Sequence, residues 1–531
     1  MINLKINGID IQVKENTTIL DAAKLIDIDI PTLCHVNVEG IKYKNNNASC
    51  RVCIVENIDN GKLLPSCATL VKEGMNISTN SLNVINSRRN IVELILSDHP
   101  NSCLTCAKNL DCELQELAEN LGIREIKYEG EMNNFPIDTN SKSIVRDPNK
   151  CILCKRCETM CNDMQTVGAI SQVGRGFSTT IGTTFNRAMD DTTCTFCGQC
   201  LAVCPTGALT EINNTRKVIE ALRNEKKHVV VQTAPAVRVA LGEMFDMEVG
   251  TNVTGKMVAA LRQLGFDRVF DTNFAADLTI MEEASEFVDR IENNGTLPIL
   301  TSCCPGWVNF LEQQFTEFLD IPSSCKSPHE MMGVITKTYY AEKQGINPKD
   351  IVVVSIMPCV AKKYEAAREE LSDEYGKDVD VVLTTRELAE LIKEFGINFL
   401  ELDDEEFDNP LGESTGAGTI FGASGGVIEA TVRTAYEWIT KETLEEIDFV
   451  DLRGFAGIKE ATVNIGGTDI NIAVANGLGS ARKLLDSIKD GSKKYHAIEI
   501  MACPGGCIGG AGQPYHKGNN NILRKRAEAI Y

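Results

Sequence analysis

The chain has 531 residues, 43% of them hydrophobic and 24% charged, with a formal net charge of −21. That balance excludes a disordered chain, and the acidity argues against a nucleic-acid binder, whose phosphate contacts need a basic face. The length allows three or four domains of about 100–200 residues, and the longest apolar runs, such as 351–357, fall far short of the ~18–20 residues that cross a bilayer.

In chain order, residues 1–13 alternate in polarity around Asn7-Gly8 and predict a β-hairpin rather than a signal peptide. Thr18 to Asp21 resembles a capping box opening a short helix. Helical periodicity follows near Ser81–Leu96 and Glu113–Leu121, and the polar, turn-rich stretch 129–143 predicts a linker. Residues 151–170 repeat at 194–212, with a Gly-rich connection between them. From about residue 210, apolar strands alternate with amphipathic helices in an α/β pattern. The strands are predicted at 228–233, 268–272, 297–302, 351–357, 379–385 and 496–502. Four domains are expected, at 1–79, 80–125, 126–209 and 210–531.

The 21 cysteines are the chemical signal, fifteen of them before residue 210. An odd count, no export signal and repeated C-x2-C spacing point to metal in a cytoplasmic protein rather than to disulfides. Cys34, Cys50, Cys53 and Cys67 keep the central C-x2-C of plant-type ferredoxins and predict a [2Fe–2S] centre. His99, Cys103, Cys106 and Cys112 predict a His-ligated [4Fe–4S] cluster, because three cysteines alone would leave one iron open. Structural zinc is the competing reading of both sites. C-x2-C-x2-C-x3-C occurs twice, at Cys151, Cys154, Cys157, Cys161 and at Cys194, Cys197, Cys200, Cys204. This is the bacterial two-cluster pattern, in which the fourth Cys of each run serves the other cluster. One cluster is therefore assigned Cys151, Cys154, Cys157 and Cys204, and the other Cys161, Cys194, Cys197 and Cys200.

Further on, Cys303 and Cys304, Cys359 and Cys503 each follow a predicted strand, with Cys507 four residues beyond the last. Ligands of α/β sheets bind at the carboxyl ends of strands, so these segments should meet in one crevice holding a further cubane cluster. The Gly-rich flank 504–512 suits close backbone approach to a bulky cofactor.

The segments TSCCPGW at 301–307, MPCVAKKYE at 357–365 and EIMACPGGCIGGAGQP at 499–514 resemble the three signatures of [FeFe]-hydrogenases, and the cysteine array before them resembles the clostridial, ferredoxin-linked monomeric type. The resemblance implies an α+β multidomain fold: a β-grasp [2Fe–2S] domain, a small His/Cys3 domain, a 2[4Fe–4S] ferredoxin-like domain and a large α/β catalytic domain. It implies an H-cluster, a [4Fe–4S] cube joined to a diiron unit with CO, CN⁻ and a bridging azadithiolate, installed by maturation proteins. By motif position Cys304, Cys359, Cys503 and Cys507 hold the cube. Lys362, Pro235 and Ala236 face cyanides, and Met357 and Met501 pack over the diiron unit. Cys303 becomes the proton-donating thiol, with a relay through Glu283, Ser323, Glu286 and Arg290. Cys325 is left as a small buried hydrophobe. His329 stands where many relatives have Gln, as either a neighbour of the diiron site or a helix-surface residue. The chain ends at Tyr531, earlier than clostridial members.

The implied reaction is 2H⁺ + 2e⁻ ⇌ H₂, with electrons relayed by four accessory clusters to or from ferredoxin or another soluble carrier. Two alternatives stand beside it. One is the catalytic subunit of an NADH-linked or bifurcating complex, whose nicotinamide site must lie on another chain because no Rossmann G-x-G-x-x-G follows a strand here. The other is a non-catalytic electron-transfer, sensor or assembly protein. Lys42, Lys44 and Arg51, or Lys150, Lys155 and Arg156, are candidate basic groups for docking an acidic carrier.

Overall fold

The computed structural model describes residues 1–38, 43–45, 48–409, 412–442, 455 and 457–531. Asn7 and Gly8 both adopt positive φ (50° and 83°), as a two-residue hairpin turn requires, and join strands Ile2–Ile6 and Ile9–Val13. These extend into a five-stranded sheet whose first strand pairs in parallel with Asn76–Ser78, which in turn meets the hairpin Ile54–Asn57/Lys62–Pro65. The helix Ile19–Lys24 is capped by the Thr18 hydroxyl, which accepts from the Asp21 N–H at 3.1 Å. It packs Ile19, Leu20 and Ala23 against Ile6, Val55 and Ile77, and Cys53 and Cys67 belong to the same core.

Helices Leu82–Ser97 and Glu113–Asn120 follow, the first capped by Ser81. Residues 129–143 carry no helix or strand, but Asp138 forms a bridge to Arg146. The internal repeat closes on itself, because Ile144–Arg146, before its first copy, pairs antiparallel with Leu209–Glu211, after its second. Its two copies share an unusual backbone. Leu153 and Lys155 in the first, and Phe196 and Gly198 in the second, all have φ between 54° and 73°. Left-handed non-glycine residues cost about 1–3 kcal/mol each and persist where the surroundings demand them. Here they wrap each C-x2-C loop inward, so that the Phe196 N–H points at Cys194 Sγ at 3.4 Å.

All six strands predicted beyond residue 210 are present, but they fall into two sheets. Arg268–Asp271, His228–Thr233, Ile351–Met357 and Val381–Thr384 form an all-parallel sheet in that order, rich in β-branched residues and buried. Ile299–Leu300 and Ala497–Met501 form a second sheet with the hairpin Ile458–Ile465/Thr468–Asn476, whose strand alternation the sequence reading passed over. The long helix Thr272–Glu292 contributes Phe287 to the core beside the second sheet, and Ala276 and Ile280 to an apolar cluster that holds Met501.

Candidate active site and metal centres

The strand ends of both sheets meet at one cavity. Pro235 and Ala236 reach it after His228–Thr233, Met357 and Cys359 at the end of Ile351–Met357, and Cys303 and Cys304 just beyond Ile299–Leu300. Met501, Cys503 and Cys507 come from the end of Ala497–Met501 and the loop that follows it. Five cysteines thus share one wall with little else polar, apart from Lys362 and His329. The glycines of the last loop also answer a packing need. A Cβ on Gly506 would lie 2.6 Å from the Ser424 nitrogen, and one on Gly510 would lie 2.2 Å from the Pro358 carbonyl oxygen, so the close approach is to neighbouring backbone.

Burial pushes the Cys304 and Cys359 thiols up, and pushes Cys507 up to about 12, so these positions hold neutral thiols until a metal displaces the protons. Cys303 opens onto the same cavity. Its thiol is raised by burial first and then by Glu283 and Cys304, with Lys362 opposing.

Glu283, Glu286 and Arg290 lie on the helix Thr272–Glu292. Glu286 accepts from the Ser323 hydroxyl (3.1 Å), the Ser324 N–H (3.0 Å) and Arg290 (2.5 Å). Glu283 is 1% exposed, and among the described residues neither carboxyl oxygen has a partner of good hydrogen-bond geometry, although Ser302 and Ser323 stand near it. Burial lifts its pKa to about 8; the Ser302 backbone and the Ser323 hydroxyl oppose this and Glu286 adds to it. Cys325 is half-buried here, its N–H on the Ser323 hydroxyl (3.2 Å) and its thiol raised to about 11 by burial. It therefore borders this polar group and is not a simple core residue.

His329 is no surface residue. It is 1% exposed, and its Nε2 lies 2.6 Å from Glu365 Oε2 and 3.0 Å from Glu330 Oε1. Glu365 also receives Lys362 Nζ at 2.6 Å, and Lys362 donates to the Cys303 carbonyl at 3.0 Å. Burial opposes the charges of Lys362, His329 and Glu365, yet Lys362 and His329 together hold the Glu365 carboxyl down at about 2. Glu330 and Glu365 keep His329 above its ordinary value, against burial and Lys362. The sequence reading missed Glu330 and Glu365, although Lys362 and Glu365 are spaced i, i+3 and such a pair shares a helix face.

Two further cavities are each lined by four cysteines, one by Cys151, Cys154, Cys157 and Cys204, the other by Cys161, Cys194, Cys197 and Cys200. These are the crossed sets that the spacing predicts. The second cavity abuts the catalytic one, since a Cβ on Gly306, two residues after Cys304, would lie 3.3 Å from Cys197. The first is touched from two sides. The Asn45 amide donates to both the Cys34 (2.6 Å) and Cys154 (3.0 Å) carbonyls, and Lys108 from the loop between Cys106 and Cys112 donates to the Cys204 carbonyl at 3.2 Å. The sites therefore branch in space, although they follow one another along the chain.

The Cys34 thiol lies in hydrogen-bonding reach of those of Cys50 and Cys67, and Cys67 in reach of Cys53. His99 donates from Nδ1 to the Pro100 carbonyl at 3.0 Å, which leaves Nε2 as a buried lone pair with no partner. An orphaned imidazole nitrogen, backbone loops wound around thiols and cavities lined by four cysteines fit iron–sulfur groups.

Of the two basic groups, Lys42 and the Lys44 side chain lie outside the described residues, and Arg51 is exposed. Two of the three cations in the second group are already paired. Arg156 is 2% exposed, ion-paired with Glu113 at 2.7 Å and donating to the His35 carbonyl, and Lys150 pairs with Asp147 at 3.0 Å.

Residues 227–511 match the family described as iron only hydrogenase large subunit, C-terminal domain. Residues 1–81 match a 2Fe-2S iron-sulfur cluster binding domain, 88–127 the NADH-ubiquinone oxidoreductase-G iron-sulfur binding region, and 142–208 a 4Fe-4S dicluster domain. The chain is 57% identical to the NADP-reducing hydrogenase subunit HndD of Solidesulfovibrio fructosivorans, over all of this chain and 92% of that one. It is 42% identical to iron hydrogenase 1 of Clostridium pasteurianum, over 99% of this chain and 92% of that one. An apo [FeFe]-hydrogenase structure from Chlamydomonas reinhardtii superposes with a TM-score of 0.54 at 42% identity, covering 60% of this chain and 89% of that one. No helix among the described residues is long and apolar enough to cross a membrane. With family match, full-length relatives and cavity in agreement, the chain belongs to the iron-only hydrogenases and is an iron–sulfur oxidoreductase that acts on H₂.

Proposed function

We propose that this chain interconverts H₂ with protons and electrons at an H-cluster whose cube is held by Cys304, Cys359, Cys503 and Cys507. The observation that carries the assignment is the meeting of these four thiols, a fifth at Cys303 and the Lys362 ammonium on one apolar cavity. The bound cofactor supplies heterolytic activation of hydrogen; the protein supplies position, a low dielectric and two conduction routes.

Cys303 holds the proton nearest the cavity. Glu283, neutral at pH 7 because burial lifts it to about 8, can give or take a proton without a large free-energy step. Ser323 passes protons to Glu286, and the Arg290 ion pair fixes that carboxylate. Pro235 and Ala236 offer backbone at one side of the cavity, and Met357 and Met501 fill it.

Electrons travel through four accessory clusters in units at 1–79, 80–125 and 126–209, ahead of the catalytic unit at 210–531. The [2Fe–2S] cluster (Cys34, Cys50, Cys53, Cys67) and the His99/Cys103/Cys106/Cys112 cluster feed the Cys151 set in parallel, and the Cys161 set passes the electrons to the cube. Cysteines committed to iron–sulfur clusters rather than to disulfides favour a reducing compartment, the cytoplasm.

For the carrier, the 57% identity to an NADP-reducing subunit over the full chain favours a nicotinamide-binding partner subunit over free ferredoxin. The test is an assay of the maturated chain alone. It should evolve H₂ from reduced viologen and fail to reduce NADP⁺ until a flavin-bearing partner is added. Ferredoxin-driven turnover as fast as that with viologen would return the assignment to a ferredoxin-linked monomer.

A further inference from the structure

Lys362 is held by a buried group of ionisable side chains that the proton route does not use. Its ammonium has three N–H donors. Two go to the Cys303 carbonyl (3.0 Å) and Glu365 Oε2 (2.6 Å), and the third has no protein partner among the described residues. The same Glu365 oxygen receives His329 Nε2 at 2.6 Å, and Glu330 Oε1 stands 3.0 Å from that nitrogen. Glu330 is 0% exposed, and among the described residues neither oxygen makes a hydrogen bond of good geometry and His329 is its one ion-pair neighbour. The His329 ring is held further by Ser355 on Nδ1 (3.2 Å), and its backbone carbonyl accepts from Gln232 at 2.7 Å.

Buried charges are retained when they neutralise one another, and with His329 protonated this set has two cations and two carboxylates. The last torsion of a glutamate is broad, so Lys362 alone would leave the Glu365 carboxylate free to turn and carry the ammonium with it. A second donor on the same oxygen, from a ring fixed at both ends, stops that turn.

We infer that His329 and Glu330 are positioning residues for Lys362: acting through Glu365, they set where its free N–H meets the cofactor in the cavity. The inference rests on the H-cluster reading above. His329 borders the cavity and Glu330 does not, so a spectroscopic signature of the cofactor that moves in variants of both is the decisive readout.

The test uses the full chain loaded with cofactor by its maturation proteins, and records infrared bands of CO and CN⁻, iron content and turnover with viologen. His329→Ala should keep wild-type iron content, displace at least one cyanide band and lower turnover about tenfold or more, as loss of a supporting partner does. His329→Gln, which restores an N–H toward Glu365, should recover part of both effects. Glu330→Gln keeps the packing and should displace the same band in the same direction by less; it decides the matter if His329→Ala does not fold. Undisplaced cyanide bands in Glu330→Gln and in whichever His329 variants fold, at wild-type iron content, would overturn the inference and leave the H-cluster reading intact. A matured wild-type protein with no cyanide band would overturn both.

Discussion

Glu283 and Glu286 sit one turn apart on a single helix, yet Glu286 accepts hydrogen bonds from Ser323, Ser324 and Arg290 while Glu283, buried beside them, accepts none of good geometry among the described residues. The difference separates a carboxylate held by three donors from a buried carboxyl that gives up its proton only near pH 8.

This contrast predicts a pH signature. Because the folded pKa of Glu283 stands above the unfolded value, its neutral form stabilises the fold fully below about pH 4.5, and that contribution is lost as pH rises through about 8. Glu283→Gln should remove the loss, so its melting temperature relative to wild type should climb between pH 5 and pH 8.5. Its turnover should fall by roughly 100-fold or more, the usual worth of a positioned proton carrier. A melting difference that is flat with pH would show that Glu283 is already ionised at neutral pH.

Cys303 and Cys304 are adjacent on the cavity wall but are assigned opposite roles. Cys303→Ser should keep full iron and the infrared bands while losing at least about 100-fold in turnover. Cys304→Ser should lose the catalytic cube itself. Infrared spectra of the two variants, read against iron content, check this, and failure of Cys303→Ser to load would exchange the two assignments.

Branching of the accessory sites predicts unequal consequences of losing one. Cys34→Ser should abolish the [2Fe–2S] signal in electron paramagnetic resonance and leave viologen-driven turnover within about twofold, because the His99 branch still reaches the Cys151 set. Cys197→Ser interrupts the shared last step and should abolish most of it. Equal losses in both variants would indicate a single line of clusters.

Expression without maturation proteins should give a protein with accessory clusters and cube but no turnover and no CO or CN⁻ bands. Every cysteine placed on the catalytic cavity is assigned to the cube or to the proton route, so nothing is left to anchor a diiron unit independently. Activity in such a preparation would count against the assignment.

The lysine next to Lys362 serves the fold. Lys363 and Glu387 are each 1% exposed through their side chains, and their ion pair (2.7 Å) joins the short helix Ala361–Glu365 to the capping box of the helix Thr385–Glu394. Glu387→Ala should destabilise the catalytic unit by about 3–5 kcal/mol, because it strands a buried ammonium. Denaturant unfolding of that unit checks it.

Along the sequence, cysteine spacing was enough to group the accessory ligands, because a C-x2-C loop is a local object whose geometry depends on few residues. The crossed sets, Cys204 with the first copy and Cys161 with the second, were legible for the same reason: a repeat with a common backbone dictates its own closure. The apolar strands were legible too, since burial on both faces writes continuous runs of Val and Ile. Their division into two sheets was not, because partner choice between strands depends on contacts hundreds of residues apart, whereas the hairpin at 458–476 pairs locally around Gly466-Gly467 and its alternation was there to be read. The branching of the cluster sites likewise rests on single long-range bonds such as Asn45 to Cys154. His329 marks the limit most sharply. Its identity is one letter in a helix, and whether that letter faces water or two buried carboxylates was decided only when Ile351–Met357 and the segment carrying Lys362 and Glu365 packed against it, where low dielectric turns a neutral-looking side chain into part of a charged network.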